Sequence, residues 1–85
     1  MAEEQVGVVV KFFSKPSVAA VQVMGKGMKK GDLLHYKGHT TDFTDQIVSL
    51  EVDNKAVDDA KAGDLVGIKV KDRVRENDKV YRVEE

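Results

Sequence analysis

The sequence predicts an all-β domain, with six short strands closed or nearly closed into an antiparallel barrel. Three observations carry this expectation. Val48, Leu50 and Val52 alternate with Ser49 and Glu51, and Val66, Ile68 and Val70 alternate with Gly67, Lys69 and Lys71, which is the period of half-buried strands. β-Branched and aromatic runs recur at intervals of about 8–14 residues, with turn-forming residues between them. Helical spacing is confined to a single turn over Val57 to Ala62, which Gly63 would end.

The chain has 85 residues, enough for one small core in one domain. Residues 1–5 are acidic and read as a disordered tail, and residues 6–83 as the barrel. No apolar run approaches the roughly 18 residues of a membrane span, and the acidic start lacks the basic region of a secretory signal. The expected location is cytoplasmic. The absence of cysteine excludes disulfides, thiolate nucleophiles and cysteine zinc sites. Net charge is −1, yet the six basic and three acidic residues through Thr41 give +3, while the eight basic and twelve acidic residues from Asp42 onward give −4. Any nucleic-acid contact would therefore need a local basic patch.

The first strand is Val6 to Phe13, and Pro16 and Ser17 turn the chain into a second strand over Val18 to Met24. Ala19, Val21 and Val23 form the inner face of that strand, with Ala20 and Gln22 on the other. A third strand covers Leu33 to Lys37, with Leu34 and Tyr36 inward. The fourth runs from Phe43 to Val52, and the fifth from Leu65 to Val70. Between these two the chain makes a compact crossing rather than a tight hairpin, and Gly63 takes a positive φ there. Lys79 to Val83 is the sixth strand.

Three turns echo one another: Met28-Lys29-Lys30-Gly31-Asp32, Ala60-Lys61-Ala62-Gly63-Asp64 and Val74-Arg75-Glu76-Asn77-Asp78. Each offers an apolar anchor, a neighbouring base, a Gly or Asn suited to the left-handed region, and an Asp where the next strand begins.

The first two of these turns, with Val6-Gly7-Val8-Val9, Val18 to Val23, Val48-Ser49-Leu50, Val57 and Leu65 to Ile68, resemble the second domain of translation elongation and initiation GTPases. In elongation factor Tu and its relatives, that barrel follows the nucleotide-binding domain. The resemblance implies a six-stranded Greek-key barrel and a free-standing translation-factor-like module that binds RNA or the ribosome. The alternative is a protein-interaction barrel that docks on an enzyme or on a separate nucleotide-binding protein. No Gly-x-x-x-x-Gly-Lys-Ser/Thr loop occurs, so neither GTP binding nor its hydrolysis is expected.

No catalytic, cofactor or metal residue is assigned. His35 and His39 lie four apart without a third ligand of fixed spacing, and read as partly exposed loop residues. Asp58 and Asp59 are adjacent in a turn and point apart, so they make no acid/base pair. Phe12 and Phe13 are consecutive and face opposite ways, which leaves one of them outward beside Lys11 and Lys15, able to stack on a base or fill a protein pocket. The expected nucleic-acid surface is the run Lys69, Lys71, Arg73 and Arg75, alternating with Ile68, Val70 and Val74 on one outward face. The competing reading is a solvated edge guarded against aggregation. In an extended segment Asp72 would face inward, so the chain must either turn there or use Asp72 to cap a bend.

Overall fold

The computed structural model describes residues 2–15 and 17–84 and is all-β, with no helix among them. Ten strands form: β1 (Ala2–Phe13), β2 (Val18–Val23), β3 (Met28–Lys29), β4 (Leu33–Lys37), β5 (Asp42–Gln46), β6 (Leu50–Val52), β7 (Lys55–Ala56), β8 (Asp59–Ala60), β9 (Leu65–Lys69) and β10 (Lys79–Glu84). Eight make one antiparallel sheet in the order β5-β4-β10-β1-β2-β9-β6-β7, and β3 pairs with β8 in a second. The all-β antiparallel expectation holds. The pairing differs from a closed ladder of six strands, because β5 and β7 are the ends of the large sheet and no ladder joins them.

Four local expectations are corrected. Ala2–Gln5, expected as tail, pair with Tyr81–Glu84, so the first strand is twelve residues long. Phe43–Val52 is two strands: Ile47 continues the β4·β5 register opposite Asp32, with Gly31 N–H donating to Ile47 O at 2.9 Å and Ile47 N–H to Asp32 O at 2.9 Å, and the chain breaks after it, before β6 begins at Leu50. Ile47 is consequently buried, and Val48, expected inward, is exposed. Asp53 and Asn54 both have positive φ, 53° and 65°, and make a two-residue hairpin between β6 and β7 where a crossing without a tight hairpin was expected. The helical turn over Val57 to Ala62 is absent, because Val57 N–H donates to Leu50 O at 2.9 Å and Ala60 pairs with Met28. The turn role expected of Pro16 lies outside the described residues.

The three echoing turns are structurally equivalent. In the four-residue turns Lys29–Asp32, Lys61–Asp64 and Arg75–Asp78 that follow the anchors, the N–H of the first residue donates to the Asp carboxylate: Lys29 to Asp32 at 2.9 Å, Lys61 to Asp64 at 3.1 Å and Arg75 to Asp78 at 2.8 Å. The Asp N–H returns a bond to the first carbonyl at 3.0, 3.0 and 3.1 Å. Positive φ at the third position, 97° at Gly31, 98° at Gly63 and 74° at Asn77, is what a type II turn requires. Each turn then docks by two backbone bonds onto one strand residue: Ile47, Val23 and Val9 respectively. The anchors Met28, Ala60 and Val74 are buried, so each turn is held from both sides.

The core draws Val6, Val9, Ala19, Val21, Leu34, Tyr36, Leu50, Ile68 and Val80 into one cluster, so the large sheet curls about a single interior. Tyr36 stacks on Phe43 with ring centroids 5.0 Å apart. The inward faces expected for Ala19, Val21, Val23, Leu34, Tyr36, Val66, Ile68 and Val70 are those observed.

Candidate functional site

A bulge in β1 decides which aromatic faces outward. Val9 pairs with Val21 and is buried; the register then shifts, so that Lys11 pairs with Ala20, Phe12 with the buried Ala19, and Phe13 with Val18. Strict alternation from Val9 would have put Phe13 in the core. The extra residue, Val10, reverses the parity, so Phe12 packs against the core and Phe13 remains 45% exposed. The Lys11 ammonium sits 5.2 Å from the centre of the Phe13 ring and supports it from one side.

Phe13 opens onto a groove of about 510 Å³ across the outer faces of β2, β9 and β6. Its floor is flat because Ala20 and Gly67 are directly paired and neither carries a large side chain. Val18 stands with Phe13, and Leu65, 52% exposed, is the other large apolar side chain. Lys15 and the acids Glu51 and Asp53 also line it, so the walls are apolar and the rim carries both signs of charge. Such a surface suits an apolar side chain of a partner protein ringed by polar contacts.

The basic run is split. Lys69, Lys71, Arg73 and Arg75 are all exposed, but β9 ends at Lys69, and the chain bends at Lys71 and Asp72. Asp72, expected inward on a straight strand, is exposed and accepts the Arg73 N–H at 2.7 Å, which holds the bend. Lys71 N–H donates to the Asp45 carboxylate at 3.0 Å, tying this segment to the edge of β5. Arg73 and Arg75 share one concavity with Thr40 to Phe43 and another with Lys11 and Phe12, whereas Lys69 lies beside Val18 on the β9 ladder.

His35 is drawn into an electrostatic cluster. Its Nδ1 lies 2.8 Å from Glu3 Oε2 and its Nε2 2.5 Å from Asp42 Oδ1. The Asp42 hydrogen bond, followed by Glu3, raises the His35 pKa above the ordinary histidine value, and the same bond lowers that of Asp42. His39 is exposed on the loop after β4, away from this cluster, so the two histidines do not converge. Among the described residues, no three His, Asp or Glu side chains are grouped to hold a metal ion.

Sequence reasoning found the outward aromatic but not the groove. Ala20, Gly67 and Leu65 carry no chemical signature, and only the β2·β9 register shows that Ala20 and Gly67 are neighbours.

No protein-family model matches the chain. The chain is similar to part of a protein described as a protease and to a solved domain of a protein described as a peptidase. Over 82 residues, 95% of this chain, it is 38% identical to an uncharacterized protease of Methanocaldococcus jannaschii, and it spans about a fifth (20%) of that protein's length. Among solved structures, the C-terminal domain of a Geobacillus thermoleovorans protein described as a U32 peptidase shares the fold, with a TM-score of 0.88 at 21% identity over 95% of this chain and 93% of that one. Its selenomethionine variant gives 0.84 at 22% identity over 91% and 96%. These findings overturn the resemblance to the translation GTPase barrel, and with it the reading as a translation-factor-like module for RNA or the ribosome. The residues that carried the resemblance are the Gly-Asp turns and the strands they dock on; they specify backbone geometry and no translation chemistry. No helix of the described residues is long and apolar enough to cross a membrane.

Proposed function

We propose that this chain is a non-catalytic docking domain of a U32-type peptidase, using the Phe13 groove to pack against the peptidase's catalytic region. The observation that carries this reading is Phe13 itself, turned out of the core by a one-residue bulge onto the flat floor of Ala20 and Gly67. An exposed aromatic at a preformed apolar groove is the usual anchor of a protein interface. The occupant follows from the proportions of the M. jannaschii relative, in which four fifths of the chain lies outside the matching segment. In this reading, the fold is a six-stranded Greek-key barrel in architecture, its threefold turn joining the main strands, and residues 2–84 act as one domain. The lack of cysteine suits a reducing cytoplasm.

The test is a chimera in which this chain replaces the matching segment of the M. jannaschii protease, with a photo-crosslinking residue at position 13. Cross-links from residue 13 to the remainder of the protease support docking. Their absence, or equal yields from a control probe at Val48, contradicts it.

A further inference from the structure

The structure assigns a second site to the opposite part of the large sheet: we propose that Lys37 and Lys79 bind a doubly charged oxyanion of the phosphate type. The two lysines are directly opposed in the β4·β10 register. Like charges placed face to face across a ladder repel one another; among the described residues the carboxylate opposed to either lysine is Asp42, across the β4·β5 register from Lys37, and it offsets that charge only in part because it is shared with His35. The other register neighbour of Lys79 is Val8. That of Lys37 is Asp42, whose Oδ1 is turned to His35 Nε2. The buried Asp78 beside Gly38 is likewise committed, its Oδ2 accepting the Arg75 N–H at 2.8 Å. No ion pair among the described residues engages either lysine.

The two lysines line a concavity of about 370 Å³ together with Gly38, His39, Asn77 and Tyr81, and no carboxylate lines it. Opposed positions on adjacent strands lie about 5 Å apart, so two flexible ammonium groups can converge on one anion. The asymmetry is local: the chain as a whole carries a net charge of −1. The loop that shapes the concavity is fixed, because Gly38 N–H donates to Thr41 O at 2.7 Å and the Asp78 carboxylate packs directly against Gly38. A dianion would balance both lysines, while the Asn77 amide, the His39 ring and the Tyr81 hydroxyl offer hydrogen bonds.

The test is an amide NMR titration with inorganic phosphate, at an ionic strength held constant with sodium chloride. Saturable shifts are expected at Gly38, His39 and Asn77, weakened at least threefold by Lys37→Gln or Lys79→Gln and abolished by the double substitution. Relief of the like-charge pair should raise the melting temperature of either single variant at low salt, which separates lost binding from lost folding. Shifts that chloride reproduces, or that persist in the double variant, would overturn the site. Acetate binding as tightly as phosphate would overturn its assignment to a doubly charged group.

Discussion

His35 Nε2 and Asp42 Oδ1 lie 2.5 Å apart, while the other ring nitrogen of His35 reaches Glu3, so one imidazolium ties the first strand to the edge strand β5. The folded His35 pKa is raised above 6.5, so its contribution to stability is fully present below about pH 6.5 and is lost as pH rises through the folded value. The folded Asp42 pKa is lowered below 3.8, so its contribution is present above about pH 3.8 and is lost as pH falls through its folded value. Both act together between those limits. Asp42→Asn should move the His35 titration, followed by NMR, back toward 6.5, and should lower the melting temperature at pH 5.5 but not at pH 9.

Gly63 has φ 98° with open space where a β-carbon would stand, so only backbone strain opposes a side chain there. Gly63→Ala should therefore cost about 1 kcal/mol or slightly more. Thermal unfolding should show a fall of roughly 4–8 °C.

Gly38 is a different case. Its φ is not positive, but a β-carbon there would overlap the carboxylate of the buried Asp78, which braces the third turn. Gly38→Ala should cost about 1–3 kcal/mol by overpacking. Gly38→Ala combined with Asp78→Ala should lose less than the two single changes added together, because the clash is removed with the carboxylate.

The bend at Asp72 limits what the basic run can do for a nucleic acid. Four cooperating contacts to a single strand would give a slope near −3 for log affinity against log salt, at about −0.7 per contact. Of the four, only Arg73 and Arg75 share a concavity, one that Lys11 also lines, so the expected slope for any single-stranded RNA bound there is no steeper than about −2.1. Fluorescence anisotropy should find that slope unchanged by Lys69→Gln with Lys71→Gln, and flattened by Arg73→Gln with Arg75→Gln.

Periodicity made the long strands and the inner faces legible, since Ala19, Val21 and Val23, or Val66 and Ile68, can be buried together only in an extended chain. The three turns were also legible, because Gly or Asn followed by Asp has a local conformational meaning that needs no partner. Val48 was misplaced because the inward face changes parity between Ile47, which still pairs beside β4 at Asp32, and Leu50, which begins the ladder with β9. The outward aromatic followed from two adjacent phenylalanines. Which one faced out did not, since the bulge at Val10 is a property of the β1·β2 ladder and not of either phenylalanine. The groove floor and the Lys37–Lys79 opposition are register facts for the same reason. The translation reading failed because it took turn chemistry for function.

The docking account is tested most directly by the effect of Phe13→Ser in two settings. Because Phe13 is outside the core, the substitution should change the melting temperature of the isolated chain by no more than about 2–4 °C, a surface effect of under about 0.5 kcal/mol. In the chimera with the M. jannaschii protease, the same change should strip a buried anchor, lower the unfolding temperature of this segment by at least twice as much as in the isolated chain, and speed proteolytic release of the domain. Equal small effects in both settings would contradict docking through Phe13.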